Sequence, residues 1–196
     1  EVTRRIMETT PVPIIIVSAN YEPGEVEMSF RALEEGALTI LQKPPGIGHP
    51  DFEKQAWKII YTVKTMSEVK LIKRLPRYRR EKAAPPVTPE VDRVLAPAEI
   101  KLVAIGGSTG APPVIQMILS RLSKDFPVPV VLVQHISPGF IKGMIQWLND
   151  TTGFSTLLAT HGERLLPGRA YFAPDGFQIG VENGGSIVLK KDPPEH

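Results

Sequence analysis

Ser108 and His135 are the residues whose types and surroundings offer chemistry. Ser108 lies in Gly106-Gly-Ser-Thr-Gly110, after the apolar run Leu102–Ile105 and before the helix-like stretch Val114–Leu122. A short apolar run bounded by glycines reads as a buried strand. Ser108 is then expected on a tight strand-to-helix turn, its hydroxyl exposed at the carboxyl end of the strand, where open α/β sheets place their ligands. Backbone N–H groups at the helix N-terminus suit an oxyanion there. The spacing satisfies Gly-x-Ser-x-Gly, the nucleophile elbow. The same glycines also fit a plain βα turn capped by Ser108 or Thr109. A phosphate loop is disfavoured, because Gly-x-x-x-x-Gly-Lys-Ser/Thr is absent and no lysine follows the glycines.

His135 belongs to Gln134-His-Ile-Ser-Pro-Gly139, at the end of the next apolar run, Val128-Pro-Val-Val-Leu-Val133. Consecutive parallel strands are usually neighbours and lie about 4.8 Å apart, so the two side chains are within reach of each other. Histidine beside serine makes an activated nucleophile: it takes the hydroxyl proton on attack and returns it to the leaving group. A third member, an Asp or Glu orienting the imidazole, is sought among Asp125, Asp150, Glu163, Asp175 and Asp192, and none is convincing. Asp125 and Asp150 fall at or past helix C-termini, toward the opposite end of the sheet. Asp175 in Ala-Pro-Asp-Gly-Phe reads as a turn residue. An α/β-hydrolase places its histidine much further from its serine, so that arrangement does not match. His161 reads as a surface turn residue, and His49 and His196 have no evident partner. No pair has metal-ligand spacing, so no zinc site is expected.

The elements that must position these residues follow from periodicity. Residues 1–9 read as the end of a helix. Pro13–Val17 and Ala37–Leu41 read as strands buried on both faces. Between them Glu25–Gly36 is amphipathic, with Val26, Phe30 and Leu33 on one face, and Phe52–Ile72 reads as a further helix. Residues 73–98, basic and then proline-rich, read as a linker. Strand 101–105, helix 112–122, strand 128–133, helix 140–149 and strand 156–159 follow. The segments 169–173, 177–181 and 186–190 suggest a β-meander with Asn183-Gly-Gly185 as a hairpin turn. Strands alternating with helices predict parallel sheets. The expected fold class is α/β, with two doubly wound, three-layer parallel-sheet domains.

Composition bounds the classes. The chain has 196 residues, 42% hydrophobic and 22% charged, as in globular proteins. A formal net charge of +2 is too small to imply nucleic acid, and the basic cluster at residues 73–80 lacks an aromatic platform beyond Tyr78. Cysteine is absent, which excludes disulfides and zinc–thiolate sites. No run approaches a membrane span. The chain has no initiator Met and reads as a fragment.

Four stretches carry a family resemblance: Ala104-Ile-Gly-Gly-Ser-Thr-Gly-Ala-Pro112, Gln134–Phe140, Gly162-Glu-Arg-Leu-Leu-Pro-Gly168 and Ala170-Tyr-Phe-Ala-Pro174. Residues 99–196 resemble the first part of the catalytic domain of the CheB family, the chemotaxis protein-glutamate methylesterases. Residues 1–72 resemble the second part of a response-regulator receiver domain, flavodoxin-like in fold. The resemblance implies Ser108 as nucleophile and His135 as general base, with the Thr109 N–H as an oxyanion-hole candidate. It implies Ser18 and Lys43 as the receiver's switch pair. It implies hydrolysis of glutamate γ-methyl esters on the cytoplasmic helices of methyl-accepting chemoreceptors, glutamine deamidation at the same site, a cytoplasmic setting, and phosphorylation by a chemotaxis histidine kinase. No cofactor is expected for the esterase. Magnesium is expected only for receiver phosphorylation, and its acidic ligands and the phosphoacceptor aspartate belong upstream of residue 1. The family's triad aspartate belongs beyond His196. The segment by itself is therefore expected to be impaired, since an unoriented histidine costs about 10⁴-fold in a serine-protease triad. A non-catalytic response-regulator interaction module is the alternative, and an unrelated serine hydrolase is a third.

Overall fold

The computed structural model describes residues 1–19, 23–71 and 100–191. The expected linker, 73–98, lies outside the described residues, as do Asp192 and His196. The first half runs α1 (Val2–Thr9), β1 (Ile15–Ser18), α2 (Pro23–Glu34), β2 (Thr39–Gln42) and α3 (Phe52–Ser67). β1 and β2 pair in parallel, with Ile15 opposite Thr39 and Ser18 opposite Gln42. The Lys43 N–H donates to the Ser18 carbonyl at 2.7 Å just beyond that register. Two expectations for this half are corrected. β1 is not buried on both faces: Val17 is 45% exposed. Likewise α3 ends at Ser67 and has no buried residue, and its Trp57 and Tyr61 are exposed.

The second half runs β3 (Val103–Gly107), α4 (Ala111–Arg121), β4 (Val130–Gln134), α5 (Ile141–Thr152), β5 (Ser155–Leu158), β6 (Arg169–Phe172), β7 (Phe177–Val181) and β8 (Ile187–Lys191). Four strands form a parallel sheet in the order β3-β4-β6-β5. The connections from β3 to β4 and from β4 to β5 advance in the same direction, so right-handed crossovers place α4 and α5 on one face. Ile115 and Leu119 of α4 and Trp147 and Leu148 of α5 pack there with Val130, Leu132, Ala170 and Phe172 of the sheet. The other face, Val131 and Tyr171, is covered by Leu165, Ile187, Ile179 and Leu189.

This corrects the expected meander. Segment 169–172 is a strand of the parallel sheet, inserted between β4 and β5, and only β7 and β8 form an antiparallel pair. Ala170, Tyr171 and Phe172 are all buried, the unbroken burial of a strand covered on both faces. The layers are three, but the third is the β7–β8 hairpin, not a second helical layer. Its turn is the expected one: Glu182 N–H donates to the Ser186 carbonyl at 3.0 Å.

The hydrophobic cluster does not stop at the half boundary. Val26, Phe30 and Leu33 of α2, with Ala37 and Ile40, belong to the cluster built by α4, α5 and the four-stranded sheet. The amphipathic face expected on α2 is therefore real, and it is buried against helices of the second half as well as its own strands.

Candidate active site

β3 and β4 are in register from Val103–Val130 to Gly107–Gln134. Ser108 and His135 are thus the next residues on two adjacent, parallel chains, as expected from the strand ends. The His135 backbone N–H donates to the Gly107 carbonyl at 3.0 Å, carrying the pairing one residue past the strands. Both side chains are exposed. Among the described residues no hydrogen bond joins the Ser108 hydroxyl to the His135 imidazole; such contacts are often long before substrate binds.

The turn after β3 is built by its glycines. Ala111 N–H donates to the Ser108 carbonyl at 3.1 Å, and Gly110 between them has φ 74° and ψ −2°. Those are the angles of the third residue of a type II turn, which glycine adopts without a steric penalty. The turn feeds α4, whose second and third residues are Pro112 and Pro113. Proline lacks an N–H, so two of the four donors that a helix N-terminus normally offers an anion are missing. Thr109 and Gly110 keep theirs on the exposed loop. That pattern favours a single oxyanion near Ser108 over the multi-donor cradle of a phosphate loop.

Gln134, which sequence reasoning passed over, links the two turns. Its Nε2 donates to the Ser108 carbonyl and to the His135 carbonyl, both at 2.9 Å. Its Oε1 is buried with no partner, at a cost of about 1–3 kcal/mol for an unsatisfied acceptor. Gly107 makes the room: a Cβ there would stand 2.7 Å from Oε1 and 2.6 Å from Ala111 Cβ. The signal was present in the sequence only as a polar residue closing an apolar strand.

Three of the five candidate acids, Asp175, Asp150 and Glu163, have partners other than His135. Asp175 is in a turn, as expected, and its Oδ2 accepts the Gly139 N–H at 2.8 Å, tying the His135 loop to the turn between β6 and β7. Asp150 accepts from Gln146 Nε2, and Glu163 accepts from the Thr160 N–H. His161 is exposed in a turn and is also a staple: its Nδ1 accepts the Leu189 N–H at 3.1 Å.

In the first half, Ser18 and Lys43 sit at the carboxyl ends of β1 and β2. Ser18 Oγ lies 3.5 Å from Glu25 Oε2. Lys43 borders a cleft with Gln42, Pro44, His49, Asp51 and Gln55. Asp51 there lies 3.8 Å from His49 Nδ1. Among the described residues no group of three or more His, Asp or Glu is placed to hold a metal ion. These residues do not make a magnesium site.

Residues 103–196 match the CheB methylesterase family. Over 99% of its length the chain is 51% identical to a protein-glutamate methylesterase/protein-glutamine glutaminase 4 from Geobacter metallireducens, covering 55% of that protein. Residues 103–196 of the chain belong to the CheB methylesterase family. It is also 50% identical, over its full length, to a protein-glutamate methylesterase/protein-glutamine glutaminase from Nitrosospira multiformis, again covering 55% of it. The chain thus spans about half the length of the curated CheB-family relatives it matches. A solved structure of the Thermotoga maritima CheB methylesterase catalytic domain is 38% identical, covering 48% of this chain and 51% of that one, with a TM-score of 0.44. No helix among the described residues is long and apolar enough to cross a membrane.

Proposed function

We propose that this chain is the middle portion of a phosphorylation-regulated protein-glutamate methylesterase that also deamidates glutamine, with Ser108 as nucleophile and His135 as general base. The observation that carries the reading is the register of β3 on β4, which brings a serine turn and a histidine turn side by side at the carboxyl edge of a parallel sheet. Ser108 Oγ attacks the γ-carbonyl carbon of the ester while His135 accepts its proton. The carbonyl oxygen becomes an oxyanion, held by the Thr109 N–H at the exposed turn. Collapse breaks the bond to the methoxy oxygen, which leaves as methanol with the proton from His135. Water, deprotonated by His135, then hydrolyses the acyl-serine and restores the hydroxyl. A side-chain amide follows the same route and releases ammonia.

The orienting aspartate of this reading lies beyond His196. The substrates are methylated helices of chemoreceptors in the cytoplasm. The first half is part of a receiver whose switch residues are Ser18 and Lys43, phosphorylated by a chemotaxis histidine kinase. The test is methanol release from methylated receptor by the full-length protein and its Ser108→Ala variant. Release should be lost in Ser108→Ala. Equal release from both would remove Ser108 as nucleophile and favour a non-catalytic interaction module.

A further inference from the structure

We propose that Gln134 is a positioning residue for the Ser108–His135 pair, holding the two turns in register through one side-chain amide. The proposal rests on the esterase reading above. An amide NH₂ has two hydrogens, and Gln134 places them on the carbonyls of the two residues in question, Ser108 and His135. The Ser108 carbonyl also receives the Ala111 N–H, and the His135 N–H reaches the Gly107 carbonyl. Residues 107–108 and 134–135 are therefore joined by two hydrogen bonds at the point where the strands end, Gln134 Nε2 to the Ser108 carbonyl and the His135 N–H to the Gly107 carbonyl, while the second amide hydrogen braces the histidine turn itself. The amide has one orientation: turned over, its oxygen would face two carbonyl oxygens.

The arrangement is a poor one for burial alone. Oε1 is left without a partner against Gly107, where a leucine or methionine would bring no unsatisfied acceptor of its own. What the glutamine supplies is geometry. Neither turn is otherwise fixed to the other by a side chain from β4, and attack by a serine requires alignment at which a 1 Å misplacement costs on the order of 10²-fold.

The experiment uses the full-length protein and two substitutions that act on one contact from opposite sides. Gln134→Met keeps the length and removes both donors. Gly107→Ala puts a methyl group where Oε1 lies. The readouts are kcat and KM for ester hydrolysis, the rate at which a fluorophosphonate labels Ser108, and the melting temperature. Gln134→Met is expected to lower kcat and the labelling rate by about 10–100-fold, with KM and melting temperature nearly unchanged. The double variant is expected to be no worse than the more severe single one. Should Gly107→Ala fail to fold, the kcat-against-KM split of Gln134→Met decides alone. Wild-type kcat and labelling in Gln134→Met, with Ser108→Ala inactive, would overturn the positioning role and leave the esterase reading standing. A fall in kcat that only tracks a fall in melting temperature would overturn it too. Full turnover by Ser108→Ala would instead overturn the esterase reading itself.

Discussion

The Phe30 ring lies stacked on the Trp147 indole, centroids 5.1 Å apart and planes 17° from parallel. Phe30 belongs to α2 in the first half, and Trp147 to α5, the helix that follows the His135 loop. Both are buried, so this pair is the aromatic centre of a core shared by the two halves. Removing it should loosen the halves together. In the full-length protein, Phe30→Ala is expected to cost about 3–5 kcal/mol, read by urea unfolding. The Trp147 contribution to the emission, taken as the difference from the same protein carrying Trp147→Phe, should shift to the red when Phe30 is removed. An unchanged spectrum and midpoint would show that the halves do not share this core in solution.

The same seam is set by backbone approach at Gly143. A Cβ added there would collide with Val26 Cγ1. Alanine is intrinsically the better helix residue by about 1 kcal/mol, yet Gly143→Ala is expected to destabilise by about 1–3 kcal/mol through overpacking. Val26→Ala leaves space for the new methyl group. The double variant should therefore be more stable than the sum of the single effects predicts, and strict additivity in the cycle would rule out the close approach.

Much of this was legible in the residues. The β-branched runs, the glycine-bounded turn at Ser108 and the strand-end position of His135 follow from local pattern, and local pattern is what a sequence displays. The placement of β6 was misread because Ala170-Tyr-Phe172 precedes a true hairpin, and proximity in sequence suggested a meander. Its unbroken apolar character was the better guide. The exposure of Val17 and of α3 was not legible, because a strand or helix advertises an apolar face whether or not a partner covers it. Gln134 was missed for a different reason. Its role lies in the carbonyls of Ser108, on another loop, and of His135, its own neighbour, and a hydrogen bond to main chain across 26 residues leaves no spacing to read.

Asp175 was correctly read as a turn residue, but its carboxylate has a further task at Gly139. Gly139 has φ 90° and lies four residues past His135, so the bond fixes the far end of the histidine loop. Asp175→Asn keeps an oxygen acceptor, whereas Asp175→Ala removes it. Hydrogen exchange at the Gly139 amide should be faster in the alanine variant and nearly normal in the asparagine variant. The stability loss in Asp175→Ala should be about 0.5–1.5 kcal/mol, the range of one hydrogen bond. Equal exchange in all three proteins would mean the carboxylate does not hold the loop.

Gly106 and Gly110 flank the serine and should respond in opposite ways. Gly106 has open space where a Cβ would go, and it lies in β3 opposite Val133, which is 56% exposed. Glycine is the less stable residue inside a strand by about 0.5–1 kcal/mol relative to alanine. Gly106→Ala should therefore fold at least as well as wild type and label at Ser108 at an ordinary rate. Gly110 also has open space for a Cβ, but its φ of 74° is the obstacle. Alanine in the left-handed region costs roughly 1–2 kcal/mol. The turn can relieve that strain only by rotating, which would break the Ala111 bond to the Ser108 carbonyl and move the hydroxyl. Gly110→Ala is thus expected to lose about that much stability and to label more slowly at Ser108, while Gly110→Asn, which tolerates this conformation better, recovers part of both. Unaltered labelling in Gly110→Ala would show that the turn's conformation does not set the position of the serine.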